Sequence, residues 1–402
     1  MSKVQRLVAF AALIGASLLG TTASGSHTGY VETDLVVNRL VDNVPTLTDA
    51  NGVVHVAKFF DPNLVNPWGV GESATSPFWV SNAETGTSAL FNTQGQPLSL
   101  VVAIPGPGDP LGATGAPTGL VFNPAIAQGA FPISGVAADG VTPITAPAVF
   151  LFATENGTIA GWNPGVNPPG APPAPPPSTH AIIAVDNSAN PSADNHAIYK
   201  GLAVAKDAGG NVFLYTTNFH AGTVEVYDAS FQPAPFPPDA FTDAHLPRGF
   251  APFNVVPITL NGATELFVTY AKQDEDKEDD VAGQGLGIVN TFDLAGHRLA
   301  RFAQRGQLNA PWGVALAPAS FGEFGGDVLI GNFGNGHINA FDPMTGEFLG
   351  KVRNSHGKAI AIDGLWTIMF GNGGNGGDPH TLYFTAGPND ESDGLFGSLN
   401  PE

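Results

Sequence analysis

Short apolar runs separated by glycine, proline and polar residues fill this chain, and they recur in a fixed order. A Pro-x-Gly run, an apolar run ending in Asn and a Gly-x-x-x-x-Phe-(Asn/Asp) run occupy 66–92 and return at 310–342. Weaker copies lie between these two stretches and after the second one. Short apolar runs bounded by turn residues are typical of strands. The pattern therefore predicts a repetitive all-β protein.

The repeat divides the chain into six units. They start near 66, 116, 198, 251, 309 and 359, and most spacings are 50 to 58 residues, close to that of a four-stranded propeller blade. The run at 359–362 is taken as the first strand of the last unit. We therefore predict a six-bladed β-propeller, with an open β-solenoid as the alternative. A proline-rich insertion at 163–177 is expected to be a stiff extended loop.

Ring closure gives a role to the start of the domain. The last unit is short of a strand, and the segment at 30–37 has nothing to pair with in the first unit. Placing 30–37 beside 395–399 would complete the last blade and leave no open edge, and open edges invite aggregation. We therefore expect one propeller domain over 30–400, closed by the N-terminal strand in the last blade.

The first residues predict export. Lys3 and Arg6 precede an uncharged apolar run at 7–20, and small residues follow at 21–25, as in a signal peptide covering 1–23. The alternative is an N-terminal membrane anchor, but the run is short for a span, which needs about 20 apolar residues. We expect a secreted or periplasmic protein without a transmembrane segment after signal cleavage.

Charge and cysteine content narrow the classes of partner and site. The formal net charge is −20, a field that repels nucleic acid and anionic lipid and favours cations. The chain has no cysteine, which excludes disulfides, thiolate metal sites and a cysteine nucleophile. We expect a monomer that binds no nucleic acid.

The repeat resembles a known type. The repeat is similar to the NHL repeat, and more distantly to gluconolactonase-like and paraoxonase-like propellers. The similarity rests on three patterns: Pro-x-Gly-(Val/Leu), an apolar run with Val-x-Asn, and Gly-x-x-x-x-Phe-(Asn/Asp)-x-x-Gly. The stretches DPNLVNPWGV, FWVSNAETGTSALFN, TYAKQDEDKEDDVAG, LNAPWGVALAP and GNFGNGHINAFDP look like a family of exported bacterial propellers often found alongside PEP-CTERM sorting systems. The resemblance implies fold and export. The segment 394–402 lacks a sorting motif of that type, which puts sorting by that route in doubt.

In a propeller, the start of each innermost strand and the loop between the second and third strands converge on one face of the channel. Glu84, His220 and Asn335 fall at one equivalent position of that loop, so this ring varies its side chains between units. The ligand-binding residues predicted on this face are Asn66, Trp68, Asn82, Glu84, Glu155, Asn156, Asn218, His220, Asn309, Trp312, Asn332 and Asn335. The alternative is structural, because Asn before a turn commonly bonds its own backbone and the tryptophans could pack between blades.

A run of acidic residues at 274–280 lies between the second and third strands of the fourth unit. Its carboxylates repel one another unless a cation offsets them, and carboxylate oxygens suit Ca²⁺. Asp274, Asp276, Asp279 and Asp280 therefore form a calcium-site hypothesis, with a solvated loop as the alternative.

The resemblance to lactonase-like propellers implies a second possible calcium set. In those proteins Glu, Asn and Asp from separate blades hold the ion, which polarises a carbonyl group. Glu84 or Glu155 with Asn156, Asn218 and Asn332 would be the corresponding ligands here.

Three functions remain open on this sequence. The first is a secreted recognition module whose channel face binds a small molecule, a glycan or a protein partner, with Ca²⁺ as a possible cofactor. The alternatives are a calcium-dependent hydrolase or lactonase on the same face, and a structural protein of the cell envelope or extracellular matrix. Gly-x-Ser-x-Gly, His-Glu-x-x-His and phosphate-binding Gly-Lys motifs are absent from the sequence, which disfavours the hydrolase.

Overall fold

The computed structural model describes residues 29–402, so the predicted signal peptide lies outside the described residues. The described chain consists of strands, turns and four 3-10 helices of three residues each, which confirms the all-β prediction. The 3-10 helices are Ile126–Gln128, Ala193–Asn195, Gly322–Phe324 and Phe333–Asn335. Within residues 29–402, no helix has the length and hydrophobicity of a membrane span.

Most strands have eight residues or fewer, and many begin or end at Gly or Pro. In chain order they are β1 (Tyr30–Val37), β2 (Leu40–Val41), β3 (Val44–Thr48), β4 (Val54–Val56), β5 (Phe59–Phe60), β6 (Pro67–Gly71), β7 (Phe78–Asn82), β8 (Thr87–Phe91), β9 (Pro97–Ala103), β10 (Pro117–Phe122), β11 (Pro132–Val136), β12 (Pro143–Pro147), β13 (Phe150–Thr154), β14 (Thr158–Trp162), β15 (Ile182–Asp186), β16 (Tyr199–Lys206), β17 (Val212–Asn218), β18 (Thr223–Tyr227), β19 (Phe250–Leu260), β20 (Ala263–Lys272), β21 (Gly287–Phe292), β22 (Arg298–Gln304), β23 (Pro311–Leu316), β24 (Val328–Asn332), β25 (Ile338–Phe341), β26 (Phe348–Lys351), β27 (Leu365–Phe370), β28 (Leu382–Ala386) and β29 (Leu395–Pro401).

The larger sheets follow one another along the chain. Antiparallel meanders form β6–β9, β16–β18, β19–β22 and β23–β26, while β10 pairs with β13, followed by β14 and β15. The last large sheet has the order β27-β28-β29-β1-β5. Two small sheets, β2–β4 and β11–β12, are insertions into this series. The sheet β16–β18 has three strands, because the proline-containing segment after β18 returns to it only through a bridge between Tyr227 and Pro233.

The first strands of the large sheets pack side by side. Each first strand contacts the first strand of the next large sheet along the chain, and the last one contacts the first. The cyclic order is β6, β10, β16, β19, β23, β27 and back to β6. The glycine of the Pro-x-Gly motif permits this approach. A Cβ atom on Gly69 would lie 2.5 Å from the carbonyl oxygen of Thr118, and one on Gly313 would lie 2.6 Å from that of Trp366. The motif therefore marks the points where neighbouring first strands touch through their backbones.

Two polar residues replace the glycine where the motif changes. Asn254 Nδ2 donates a hydrogen bond to the carbonyl of Trp312, at 2.9 Å. Thr367 Oγ1 donates to the carbonyl of Trp68, at 2.7 Å. Both side chains are buried, so each one joins two first strands where a glycine elsewhere provides only space.

The N-terminal strand lies inside the last large sheet. β1 pairs antiparallel with β29, with Tyr30 opposite Pro401 and Val37 opposite Leu395, and it pairs in parallel with β5. Its last three residues, 35–37, are buried. The backbone N–H of Glu402 also donates to the carbonyl of Gly29, at 2.9 Å.

The structure differs from the predicted units at three places. The last unit begins with β27 at Leu365, and the run at 359–362 forms isolated bridges instead of a strand. Its alternating Ala-Ile pattern imitates a strand, while β27 lacks the Pro and Gly of the motif. The hairpin β11–β12 and the sheet β2–β4 lie in segments without repeat copies, and the pattern did not indicate them. The proline-rich stretch at 163–177 contains no strand or helix, as predicted.

Candidate functional site

A cluster of aromatic rings fills the space between the first strands. Trp68 stacks on Trp366 with ring centroids 3.4 Å apart, and Trp366 stacks on Phe333 at 4.0 Å. Trp312 and Phe253 meet Trp68 edge-on at 5.9 and 6.3 Å. The predicted residues Trp68 and Trp312 are thus buried in this packing, and ligand binding by them stays a prediction. We call these five rings the central aromatic cluster.

Lys200 stands at the boundary of this cluster. It is the second residue of β16, the position that Trp68, Trp312 and Trp366 hold in their own first strands. The residue is 1% exposed. Its Nζ contacts a carboxylate oxygen of Glu155 and lies 3.0 Å from Asp279 Oδ1. A charged lysine thus replaces the ring that occupies the same position elsewhere.

Two rings complete the surroundings of this ammonium. The Nζ of Lys200 lies 5.1 Å from the ring centroid of Trp68 and 5.8 Å from that of Phe219, distances at which a ring face attracts a cation. Burial opposes the charged form, but the carboxylates of Glu155 and Asp279 outweigh it and raise the pKa of Lys200. The amine therefore stays protonated at neutral pH, which prevents it from acting as a nucleophile or a base.

Two further carboxylates lie within the electrostatic reach of Lys200. Burial, followed by the charge of Glu155, raises the pKa of Glu391 to about 7. Burial also raises the pKa of Asp280 to about 7, against the lowering influence of Lys200. The Oδ2 atom of Asp280 is buried without a hydrogen-bond partner. We call Lys200 with Glu155, Asp279, Asp280 and Glu391 the Lys200 cluster; it holds more carboxylates than cations.

Glu391 lies on an unusual stretch of backbone. Asn389, Asp390 and Glu391 have φ angles of 59°, 50° and 65°, a left-handed conformation that non-glycine residues adopt rarely. Asn66, with a φ of 48°, donates from Nδ2 to Glu391 Oε2 at 2.6 Å and accepts from Trp366 Nε1 at 2.9 Å. Such backbone persists only where its surroundings impose it. Asn66, which directly precedes β6, thus fixes the Glu391 carboxylate of the β28–β29 loop beside the central aromatic cluster.

Three of the predicted asparagines form a separate set. Asn309 Oδ1 accepts from the backbone N–H of Gly283 at 2.6 Å. Asn332 Nδ2 donates to the carbonyl of Gln307 at 2.7 Å and to Asn335 Oδ1 at 3.1 Å. The Asn332 bonds join the loop before β23 to the β24–β25 turn, and the Asn309 bond joins that same loop to the β20–β21 connection. The three side chains thus hold loops in place.

The other predicted asparagines also make hydrogen bonds within the protein. Asn156 Oδ1 accepts from the N–H of Ala116 at 2.7 Å, and Asn82 Nδ2 donates to Thr87 Oγ1 at 3.2 Å. Asn218 Nδ2 donates to Glu225 Oε1 at 2.7 Å. These bonds engage the asparagines within the fold, and ligand binding by them stays a prediction.

The equivalent loop positions do not share one environment. Glu84 is exposed on the β7–β8 turn. His220 is partly buried, and its Nδ1 is shielded from solvent without a hydrogen-bond partner. Gln273 directly precedes the acidic run at 274–280, which we call the acidic loop, and donates from Nε2 to the carbonyl of Phe219 at 2.7 Å. The acidic loop is therefore anchored on the loop that carries His220.

The acidic loop is a hairpin between β20 and β21. The N–H of Asp274 donates to the carbonyl of Asp279 at 2.9 Å, and Asp274 Oδ1 accepts from the N–H of Glu278 at 3.0 Å. Asp276 is exposed, whereas Asp279 reaches Lys200. Within residues 29–402, a group of His and carboxylate side chains with ligand atoms close enough to share a metal ion, within 4.8 Å of one another, lies outside the acidic loop. It consists of Glu32, Asp34 and His55. Calcium binding by Asp274, Asp276, Asp279 and Asp280 therefore stays a prediction.

Lys200 and Glu391 were absent from the predicted site. The available signal for Lys200 was its alignment with Trp68 and Trp312, since a lysine directly before the motif glycine breaks the apolar pattern. Glu391 had no such signal, because the last unit aligned poorly with the others. Of the predicted residues, the structure brings Asn66, Trp68, Glu155, Asp279 and Asp280 to the Lys200 cluster or its border.

Comparison with known proteins gives relatives without an assigned activity. No family profile matches the chain. Two uncharacterised proteins of Acanthamoeba polyphaga mimivirus are each 29% identical to it, one over 348 residues (84% of this chain and 76% of the relative) and one over 353 residues (86% and 82%). These relatives are viral, so kinship with exported bacterial propellers stays a prediction.

Among solved structures, a streptogramin B lyase covers 94% of this chain and 100% of its own, with 9% identity and a TM-score of 0.46. A PQQ-bound aldose sugar dehydrogenase from Streptomyces coelicolor covers the same shares, with 14% identity and a TM-score of 0.45. At such identities neither protein's activity carries over to this chain.

Proposed function

We propose that this protein is a recognition module, built as a six-bladed propeller that β1 closes, and that it binds a small organic cation at the Lys200 cluster. The cyclic contacts of the first strands and the pairing of β1 with β29 support the ring. Secretion through the predicted signal peptide is part of the same proposal. The ligand chemistry follows from the charges and rings around Lys200.

The excess of carboxylates carries the proposal. Glu155 and Asp279 contact one ammonium, Asp280 and Glu391 lie within the reach of its charge, and the pKa values of these last two are raised to about 7. A carboxyl with such a pKa is poorly compensated in its charged form. A second cation placed among these groups would be attracted by charge that Lys200 does not neutralise.

The site already shows how it accommodates an ammonium. Lys200 Nζ lies between two carboxylates and near the rings of Trp68 and Phe219, which is the combination that recognises organic ammonium ligands. The side chain of Asp279 is 74% exposed and that of Glu155 is 29% exposed, so the cluster is reachable from solvent. Because Lys200 stays protonated, the cluster favours binding over nucleophilic catalysis.

The test is isothermal titration of the protein with small primary amines and diamines, and separately with CaCl₂, at pH 8 and pH 6. We expect saturable amine binding that weakens at pH 6, because Asp280 and Glu391 then carry protons. Glu391→Gln and Asp280→Asn should each reduce the affinity about tenfold, which corresponds to about 1.4 kcal/mol. Glu347→Gln, which removes an exposed carboxylate on the β25–β26 turn, is the matched control.

Two results would overturn the proposal. One is the absence of saturable amine binding at millimolar concentration. The other is amine binding that Glu391→Gln and Asp280→Asn leave unchanged. Saturable Ca²⁺ binding that these two variants abolish, without amine binding, would replace the organic cation by a metal ion.

A further inference from the structure

A second polar cluster lies in the N-terminal segment, apart from the Lys200 cluster. Glu32 and Asp34 are two residues apart on β1, so their side chains leave the strand on the same side. His55 is the middle residue of β4, and Asp49 follows β3. We call Glu32, Asp34, Asp49 and His55 the β1–β4 cluster. None of its residues belongs to the site described above.

The burial pattern of β4 is the reverse of what hydrophobicity dictates. Val54 and Val56 are 59% and 60% exposed, while His55 between them is 4% exposed. Valine is among the residues most often buried, and histidine is not. The strand could bury its two valines by turning over, so the inward position of His55 indicates that its imidazole has a partner there.

The geometry around the imidazole is that of a ligand set. His55 Nδ1 lies 3.2 Å from Asp34 Oδ1 and 3.8 Å from Glu32 Oε1. One ligand atom from each of the three residues lies within 4.8 Å of the others. Metal–ligand distances of about 2.0–2.2 Å place the ligands of a tetrahedral site about 3.3 Å apart, so small side-chain rotations would bring these atoms around one ion.

The other face of the imidazole supplies an independent observation. Asp49 has a fully buried side chain, and its Oδ2 lies 3.6 Å from His55 Nε2. Neither of these two atoms has a hydrogen-bond partner, although both are shielded from solvent. A carboxylate behind the second ring nitrogen is the usual arrangement for a metal-ligating histidine, since it fixes the tautomer and turns the other nitrogen toward the metal.

The charges of the cluster point the same way. Three carboxylates face one imidazole, which can offset at most one negative charge. The side chains of Glu32 and Asp34 are still 27% and 16% exposed, which leaves a route for an ion and for water ligands.

We propose that Glu32, Asp34 and Nδ1 of His55 bind a divalent transition-metal ion, and that Asp49 orients the imidazole as a positioning residue. A donor set of one imidazole nitrogen and two carboxylates suits Zn²⁺ or Mn²⁺ better than Ca²⁺, which takes six to eight oxygen ligands. The ion would link β1 to β4 and so fix the β2–β4 sheet to the strand that pairs with β29.

The test uses the full chain without a histidine tag, stripped of metal with a chelator and then titrated with Zn²⁺, Mn²⁺ and Ca²⁺. We expect one equivalent of Zn²⁺ or Mn²⁺ per chain by elemental analysis after desalting, and none of Ca²⁺. Co²⁺ should give visible absorption bands from a nitrogen- and oxygen-bound ion. His55→Ala should weaken binding more than about 100-fold, and Asp49→Asn about 10- to 100-fold.

His297→Ala is the matched control, because His297 Nδ1 also pairs with an aspartate (Asp293 Oδ2, 2.9 Å) but the histidine side chain is 75% exposed. Metal binding that persists in His55→Ala, or that falls equally in His297→Ala, would overturn the proposal. So would a wild-type chain that retains no Zn²⁺ or Mn²⁺ after desalting. This last measurement needs no variant, so it decides the question even if His55→Ala fails to fold.

Discussion

The Lys200 cluster predicts an asymmetric response to neutralising substitutions. The Lys200 side chain is 2% exposed, while those of its partners Glu155 and Asp279 are 29% and 74% exposed. Removing both partners leaves an ammonium that cannot reach water and has no hydrogen-bonded carboxylate, since Asp280 and Glu391 act on it only through their charge. Removing the lysine leaves the carboxylates of Glu155 and Asp279, which do reach water. The double variant Glu155→Gln/Asp279→Asn should therefore be less stable than Lys200→Met.

The magnitudes follow from burial. Leaving a buried charge without its partner costs about 3–5 kcal/mol, which we expect for the double variant. Lys200→Met keeps the length of the chain against Trp68 and frees carboxylates that are at least partly solvated, which should cost about 1–2 kcal/mol. The triple variant removes the charge and both partners together, so its free energy of unfolding should return to within about 1 kcal/mol of wild type.

The assay is urea unfolding at pH 7, followed by tryptophan fluorescence and circular dichroism, with free energies compared at constant m-value. Glu347→Gln again serves as a surface-charge control and should change the free energy of unfolding by less than about 0.5 kcal/mol. The reasoning is refuted if Lys200→Met loses more stability than the double variant, or if the triple variant is the least stable of the three.

Three more predictions concern stability. Burial raises the pKa of Glu72 to about 8, because the folded protein favours the protonated carboxyl. The contribution of this group to the free energy of unfolding is complete below the ordinary pKa of 4.5 and is lost as pH rises through about 8. Glu72→Gln should thus gain about 2 kcal/mol over wild type between pH 6 and pH 9 in urea unfolding, and a pH-independent difference would contradict this. Gly69→Ala should destabilise by about 3 kcal/mol, because its Cβ would lie 2.5 Å from the carbonyl oxygen of Thr118; an unchanged Tm would show that β6 and β10 can separate. Trp366→Ala should cost about 3–5 kcal/mol, since its ring stacks on Trp68 while fully buried, and a thermal scan showing no loss would refute a packing role.

The fold was predictable where the sequence repeats a local physical requirement. Pro-x-Gly marks a first strand because the glycine lets the next strand approach, as at Gly69 and Gly313. The last unit shows the limit of this rule. In β27, Trp366 stacks on Trp68 and Thr367 hydrogen-bonds to the Trp68 carbonyl without the Pro and Gly of the motif. Because the motif is missing, the first strand of the last unit was predicted several residues too early.

The site was less predictable because its contacts join distant residues. Lys200 meets Glu155 from 45 residues away and Asp279 from 79, and Asn66 reaches Glu391 across 325 residues. No local pattern encodes such pairs. The asparagines were conspicuous because they recur before turns, yet their partners can lie far away in sequence, as Ala116 does from Asn156, 40 residues apart. His55 lies in a segment without a repeat copy, so no alignment could single it out.

The stacked indoles also give the protein an optical property. All five tryptophans are buried, and they form two groups, Trp79 with Trp162 and the central set of Trp68, Trp312 and Trp366. Two indoles 3.4 Å apart absorb as an exciton-coupled pair, which imposes a signature on the near-ultraviolet circular dichroism spectrum. The Lys200 ammonium lies 5.1 Å from one of these rings, so its field shifts the absorption and emission of that indole. The protein thus contains a chromophore that reports, without a label, any change of charge beside it.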